Sequence, residues 1–125
     1  MTTVCFDFDG VLAEYDDWKD GTIGEPLLAG VELVRLCDEA GFTTVLQTCR
    51  THPIHGPSQQ LDMIKYWLRK HKVPIDEIEL DGKPVADYYV DDRGLHFNQL
   101  RAKTLGKEYA AFLMGHILDK EEKRK

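Results

Sequence analysis

Cysteine is scarce in this 125-residue chain, and its placement excludes the usual cysteine-based architectures. The three cysteines, Cys5, Cys37 and Cys49, are odd in number and lie far apart in the sequence. They form neither a disulfide framework nor the close pairs typical of zinc and redox motifs. Reduced thiols are the rule in the cytosol, so this pattern predicts a cytoplasmic protein whose cysteines are structural.

Long apolar runs and an excess of basic charge are also missing. No segment approaches the roughly 20 apolar residues of a membrane-spanning helix, and the N-terminus has no basic stretch followed by an apolar core, as signal peptides have. The net charge is −6, and the dense basic run at residues 120–125 is mixed with acids. We therefore expect no membrane association and no bulk attraction to nucleic acid.

What the chain does have is enough apolar sequence for one domain, residues 1–125, with no linker or repeat. The order strand, helix, strand, helix, strand, strand, helix predicts an α/β fold, a single-domain Rossmann-like three-layer sandwich with a central parallel sheet. The predicted strands are residues 3–8, 42–48, 78–80 and 86–90, and the predicted helices are residues 31–40, 58–72 and 98–118. Ser58 is expected to cap the second helix, Gly106 and Gly115 to interrupt the third, and residues 119–125 to fray.

Two acidic side chains stand where the first predicted strand ends. Asp7 and Asp9 follow an apolar run and precede Gly10. The period of two along a strand predicts that both carboxylates point to the same side. Two negative charges at one strand end are costly unless a cation or a phosphate chemistry requires them there. The pair therefore predicts a functional site.

Further polar groups follow the other predicted strands. Thr48 closes the second strand, Lys83 lies in a turn, and the adjacent Asp91 and Asp92 follow the last strand. Because the carboxyl ends of parallel strands share one edge of a sheet, we expect these groups to meet the first pair of acids. Carboxylate oxygens suit Mg²⁺, and an Asp can act as a nucleophile through an aspartyl-phosphate while a second carboxyl transfers protons.

These motifs, taken in order, resemble those of the haloacid dehalogenase superfamily of phosphatases and phosphotransferases. The resemblance covers nearly the whole chain. The matching residues are Asp7-Phe8-Asp9-Gly10-Val11, Thr48, Lys83 and Asp91-Asp92. The resemblance implies that Asp7 is the nucleophile that becomes phosphorylated and a ligand of Mg²⁺. It implies that Asp9 is the general acid and base and gives its backbone carbonyl to the metal. Dehalogenases of the superfamily lack the second carboxylate, so Asp9 favours phosphate chemistry.

The later motifs have implied roles as well. Thr48 would bind a phosphoryl oxygen, and Lys83 would screen the charge of the nucleophile and the phosphate. Asp91 would ligate Mg²⁺ directly or through water, with Asp92 as the second choice for that role.

A cap domain is the main feature of larger members that this chain does not match. Caps are inserted after the first motif or between the second and third. Residues 9–27 can hold only a short turn and a hairpin flap, and residues 48–83 are used by one helix and one strand. The chain therefore resembles the capless members. An open site suits a macromolecular or extended phosphorylated substrate, unless a homo-oligomer covers it.

Several side chains beside the motifs have more than one interpretation. Arg50 suits contact with a substrate phosphate, and an ion pair with a nearby acid is the alternative. His52 and His55 lack the partners of a zinc site but lie in the loop after Thr48. Trp18 either packs on the body of the protein or stacks on a sugar or base.

The leading functional hypothesis is a Mg²⁺-dependent phosphomonoesterase, and three alternatives stand beside it. These are a phosphotransferase, a phosphate-accepting switch similar to the receiver domain of response regulators, and a binding protein that has lost activity. Receivers place an acid pair on the first strand and the phosphorylated Asp later, whereas here the Asp-x-Asp pair comes first. The order of the motifs therefore favours the enzyme over the switch, while the sequence does not choose the substrate.

Overall fold

Four strands form a parallel sheet within the part of the chain that the structure describes. The structure is a computed structural model that describes residues 2–15, 21–51, 57–79, 84–91, 97 and 99–124. The strands are β1 (Thr3–Asp7), β2 (Thr43–Gln47), β3 (Glu77–Ile78) and β4 (Tyr88–Val90), and their order in the sheet is β3-β2-β1-β4. All three pairings between neighbouring strands are parallel, so the carboxyl ends of the strands share one edge.

The central strands are apolar because both faces of the sheet are covered. Residues Val4, Phe6 and Leu46 are each 0% exposed, as expected for strands that run through the middle of an α/β domain. The register of β1 with β2 runs from the pair Thr3–Thr43 to the pair Asp7–Gln47. The fold class predicted from the sequence is confirmed: one α/β domain with a central parallel sheet flanked by helices.

Four α-helices surround the sheet in the described residues. They are α1 (Leu28–Glu39), α2 (Pro57–Lys70), α3 (Gln99–Leu105) and α4 (Lys107–Arg124), and a short 3-10 turn spans Cys49–Thr51. α1 packs against α3 and α4. Buried side chains of α1 and α4, such as Leu33, Leu113 and Ile117, belong to the same core as the strands. The helices therefore fix the sheet from its apolar faces and leave its carboxyl edge to the loops.

The ends of the helices differ from the prediction where the local signals were weak or misleading. α1 begins three residues earlier than predicted because no capping side chain marks its start. α2 begins at Pro57, which places Ser58 inside the helix, so its predicted role as the cap is wrong. Pro at a first helical position needs no hydrogen-bond partner for its nitrogen, and its fixed φ suits a helix.

The C-terminal helix ends six residues later than predicted and is more regular. It breaks from α3 at Gly106, where φ is 57°, but it continues through Gly115 to Arg124. The predicted fraying of residues 119–124 is therefore wrong. Arg124 pairs with Glu121 at 2.8 Å, and Glu121 also accepts a hydrogen bond from the hydroxyl of Tyr88 at 2.9 Å. These contacts join the last turn of α4 to β4.

Two further expectations concern the thiols and the membrane. All three cysteines are free, as predicted, and Cys5 and Cys37 are buried while Cys49 is exposed. Burial raises the pKa of the Cys37 thiol to about 12. Among the described residues, no helix combines the length and the apolar character needed to cross a membrane.

Candidate active site

The candidate site lies at the carboxyl edge of the sheet, where β1, β2 and β4 end within one residue of the same level. Asp7 is the last residue of β1 and pairs in register with Gln47, the last residue of β2. On the other side, Phe6 pairs with Val90, the last residue of β4, and Asp91 follows directly. Neighbouring strands are about 4.8 Å apart, which brings this part of the predicted set together.

The turn after β1 positions Asp9. The carbonyl of Phe8 accepts hydrogen bonds from the backbone N–H groups of Leu12 at 2.9 Å and Ala13 at 3.1 Å. Gly10 has φ 83°, a conformation that side chains disfavour, and its N–H donates to the carbonyl of Ala13 at 2.8 Å. Because β1 ends at Asp7, the alternation used to predict a common side for both acids does not extend to Asp9. The turn, rather than the strand, sets its place.

Helix α1 packs closely against this turn at Gly30. A Cβ atom at Gly30 would lie 1.8 Å from the carbonyl oxygen of Val11, a distance no real side chain adopts. The absence of a side chain lets the first turn of α1 reach the backbone of the Asp9 turn. A hairpin flap follows, closed by a bridge between Ala13 and Pro26. We use "flap" for residues 12–15 and 21–27; residues 16–20 and Trp18 among them lie outside the described residues.

Arg50 forms a forked ion pair with Asp9. Its Nε donates to Oδ2 at 2.7 Å and its Nη2 donates to Oδ1 at 2.8 Å, so both carboxylate oxygens are engaged. The Arg50 side chain is 1% exposed and that of Asp9 is 15% exposed. Planar pairing of this kind fixes the carboxylate in orientation as well as in position.

The remaining donors of Arg50 connect the Asp9 pair to the flap and to α2. Nη1 donates to the carbonyl of Gly21 at 2.7 Å and to Oε1 of Gln60 at 3.2 Å, and Nη2 also donates to the carbonyl of Thr22 at 3.2 Å. The guanidinium lies over the ring of Phe8, 5.8 Å from its centroid. Of the two interpretations of Arg50, the structure therefore shows the ion pair with an acid.

Asp7 is held by a different partner, which no motif in the sequence indicates. Nε2 of Gln47 donates to Oδ1 of Asp7 at 3.0 Å. The available signal in the sequence was Gln47 itself, a polar residue at the end of an otherwise apolar strand. Its partner could be found only with the register between β1 and β2, which the sequence does not specify.

Thr48 and Asp91 complete the described part of the predicted set. Thr48 follows β2 directly, and its hydroxyl oxygen accepts a hydrogen bond from the backbone N–H of Arg50 at 3.1 Å. Asp91 is 6% exposed, and its backbone carbonyl accepts from the N–H of Phe97 at 3.3 Å. A buried carboxylate at the edge of a sheet requires compensation by a donor or a cation.

The donor set fits a hard cation. Asp7 and Asp91 offer carboxylate oxygens from adjacent strands, and Mg²⁺ takes a few protein oxygens and keeps water or phosphate as its other ligands. Within the described ranges, no group of three or more His, Cys, Asp or Glu side chains is arranged to hold a metal. The Mg²⁺ ligands that the resemblance implies do not require three such side chains, because the third protein ligand would be the backbone carbonyl of Asp9.

The other predicted site residues cannot be placed. Lys83, Asp92, His52 and His55 lie outside the described residues. Their predicted roles stay predictions.

Comparison with known proteins supports the fold. No protein-family model and no curated protein matches the sequence. A target protein from Vibrio cholerae has 25% identity and a TM-score of 0.57 over 93% of this chain and 98% of its own. A conserved protein from Bacteroides thetaiotaomicron has 24% identity and a TM-score of 0.58 over 85% of this chain and 89% of its own. Both show the same α/β fold.

A third solved structure is more distant. It is a D,D-heptose 1.7-bisphosphate phosphatase from B. bronchiseptica, complexed with magnesium and phosphate. It shares 18% identity and a TM-score of 0.46, covering 66% of this chain and 51% of that one. At this distance the match carries no argument about function, which has to come from the site itself.

Proposed function

We propose that this protein is a Mg²⁺-dependent phosphatase of the haloacid dehalogenase type that hydrolyses phosphomonoesters through an aspartyl-phosphate on Asp7. The observation that carries the proposal is the arrangement of acids at the carboxyl edge. Asp7 ends β1 and Asp91 directly follows the neighbouring strand β4. The turn after β1 carries Asp9, whose carboxylate is paired with Arg50. This combination suits phosphoryl transfer, which depends on positioning and charge neutralisation.

Each acid has a distinct part in the proposed reaction. A carboxylate oxygen of Asp7 attacks phosphorus, and the bond from phosphorus to the ester oxygen breaks. Asp9 gives a proton to the leaving oxygen and then takes one from the water that hydrolyses the aspartyl-phosphate. Mg²⁺, held by Asp7, Asp91 and the backbone carbonyl of Asp9, would supply charge neutralisation. Thr48 and Lys83 are proposed to bind the phosphoryl oxygens.

The Arg50 fork is compatible with proton transfer by Asp9. A carboxylate has about four lone-pair positions, and Arg50 occupies two of them. The fork therefore orients Asp9 and leaves it capacity for a proton. Arg50 is proposed to act as a positioning residue, since its donors already go to Asp9, to the flap and to Gln60.

The substrate and the setting form part of the same proposal. The flap is short, and the described helices and strands belong to the single α/β domain without a separate cap. An open site of this kind suits an extended or macromolecular phosphoester, or a homo-oligomer in which a neighbour covers the site. The free thiols support a cytoplasmic setting.

Replacement of the nucleophile tests the proposal. Asp7→Asn should abolish hydrolysis of para-nitrophenyl phosphate in the presence of Mg²⁺, because an amide cannot form the phosphoenzyme. The matched control is Asp38→Asn, an exposed site near the end of α1, which should leave turnover unchanged. Near-normal turnover by Asp7→Asn would contradict the mechanism. A single phosphorylation of wild type without further turnover would instead favour a switch.

A further inference from the structure

Gln47 binds Asp7 through its side-chain amide, and the oxygen of that amide contacts the thiol of Cys5. Its Nε2 donates to Oδ1 of Asp7 at 3.0 Å, and its Oε1 accepts from the thiol of Cys5 at 4.0 Å. Cys5 is 2% exposed and lies two residues before Asp7 on β1, so both point to the same face of the sheet. The thiol and the carboxylate together select one orientation of the amide, with its N–H group toward Asp7.

The two sides of Asp7 therefore differ chemically. On the β2 side it meets a hydrogen-bond donor, the amide of Gln47. On the β4 side an acid, Asp91, directly follows Val90, the register partner of Phe6. A donor on one side and an acid on the other make the two oxygens of Asp7 unequal before any substrate arrives.

We propose that Gln47 is a positioning residue for Asp7 whose amide speeds the breakdown of the phosphorylated enzyme. The inference rests on the proposed function, because it takes Asp7 as the nucleophile. It assigns Oδ1, the oxygen bound by Gln47, as the oxygen that stays unphosphorylated. Oδ2 then forms the bond to phosphorus.

The balance of the two steps explains why the second one depends on Gln47. In the first step Oδ2 bonds to phosphorus, the ester bond breaks, and the leaving oxygen takes a proton from Asp9. Oδ1 becomes the carbonyl oxygen of the acyl phosphate. In the second step water loses a proton to Asp9 and bonds to phosphorus, and the electron pair of the bond between phosphorus and Oδ2 returns to the carboxylate of Asp7.

Negative charge therefore leaves Oδ1 in the first step and returns to it in the second. A donor aimed at Oδ1 stabilises the transition state of the second step more than the phosphoenzyme that precedes it. In the first step the same donor orients the carboxylate but withdraws some of its charge, and these effects oppose each other. Loss of the donor should slow dephosphorylation and change phosphorylation little.

The test is Gln47→Met, which keeps the length of the side chain and removes the amide. The matched control is Gln59→Met, the same change at an exposed site on α2. With para-nitrophenyl phosphate and Mg²⁺, Gln47→Met should lower kcat about ten- to hundredfold, the loss expected for a hydrogen bond to a charged group. The value of kcat/KM should stay within about twofold, because it reports only the steps through phosphorylation. The phosphorylated fraction of acid-quenched protein, measured by intact mass, should rise above that of wild type.

Cys5→Ala provides a second variant that leaves the amide in place. It removes the contact that orients Gln47, so it should shift kcat and the phosphorylated fraction in the same direction by a smaller factor. It also decides the matter if Gln47→Met fails to fold by circular dichroism. A structural role alone would lower kcat/KM together with kcat and leave the phosphorylated fraction unchanged, which would overturn the inference while the phosphatase proposal stands. Wild type that forms no phosphoenzyme and turns nothing over would overturn both.

Discussion

Aspartates lie at both ends of the sheet, but they have opposite roles at the two ends. At the amino ends, Asp76 and Asp87 each precede a strand and accept the backbone N–H of the neighbouring strand, from Thr44 and Thr3, both at 2.8 Å. There the acids hold the strands together. At the carboxyl ends other side chains hold the acids, because Gln47 binds Asp7 and a buried Arg50 binds Asp9.

This difference separates the acids that join strands from the acids to which we assign the proposed chemistry. An acid that accepts a backbone N–H satisfies a group that would otherwise lose its hydrogen bond on folding. Side chains at the amino end only add to these backbone hydrogen bonds, the Thr44 hydroxyl at Asp76 and Arg124 at Asp87. At the carboxyl end the side chains of Gln47 and Arg50 themselves hold Asp7 and Asp9. Exposure points the same way, since Arg50 is 1% exposed while Arg124, which pairs with Asp87 at the amino end, is 55% exposed.

The largest expected effect comes from breaking the Arg50 fork. Arg50→Met should lower the free energy of unfolding by about 3 kcal/mol or more, because it leaves a largely buried Asp9 carboxylate without its cation. It should also lower phosphatase turnover, since Asp9 loses its orientation. Denaturant unfolding followed by circular dichroism measures the first effect. Arg124→Met, which removes an exposed cation at the opposite end, should leave both quantities close to wild type.

A double variant shows whether the Arg50 effect belongs to the pair. Asp9→Asn combined with Arg50→Met should be less destabilised than the sum of the two single changes, because neither partner is then left charged and alone. Strict additivity would mean that Arg50 acts through the flap and Gln60 instead of through Asp9.

The next effect tests how closely a helix must approach the site. Gly30→Ala should lower the free energy of unfolding by about 1 to 3 kcal/mol, because the new Cβ would displace the carbonyl of Val11 and with it the Asp9 turn. Gly115→Ala is the matched control on α4, where nothing lies within 4 Å of the added atom. It should raise stability by up to about 1 kcal/mol, since Ala favours a helix more than Gly does. Equal effects at the two glycines would contradict the inference that close packing of α1 at Gly30 stabilises the Asp9 turn.

The sequence predicted what depends on local pattern and failed where partners are set by register. Apolar runs and glycine turns were enough for the order of strands and helices along the chain, with the strand ends accurate to about two residues, but not for the order of the strands in the sheet. Gln47 was missed because its role depends on which residue of β1 lies opposite it. The fork from Arg50 to Asp9 spans 41 positions in the chain, and pattern alone left it as one of two interpretations.

Local signals also overstated the breaks in helices. Glycine disfavours helices, so Gly115 predicts an interruption, but the buried face of α4 on either side of it, including Leu113 and Ile117, keeps the helix continuous. Gly106 does break the chain, since its φ of 57° cannot be part of a helix. The difference between these two glycines comes from packing and not from residue type.

The smallest expected effect concerns acid and the amino end of the sheet. The N–H of Thr3, and after it the charge of Arg124, hold the pKa of Asp87 below its ordinary value of 3.8. A lowered pKa means that the folded protein binds this proton less readily than the unfolded chain, so Asp87 contributes stability that is fully present above about pH 4 and is lost as the pH falls through the folded pKa. Because the carboxylate is exposed, we expect the contribution to be small.

Asp87→Asn tests this contribution, because the amide can still accept from Thr3 but carries no charge to titrate. Wild type should be slightly more stable than Asp87→Asn at neutral pH, and the difference in the free energy of unfolding should shrink as the pH is lowered below 3.8. Arg124→Met should keep most of this pH dependence, since the backbone N–H of Thr3 is the larger cause of the lowered pKa. Phosphatase turnover at neutral pH should be the same in all three proteins, because this acid joins strands at the end of the sheet opposite the proposed chemistry. A loss of turnover in Asp87→Asn with no change in stability would show that the two ends are coupled, and the division between structural and functional acids would then fail.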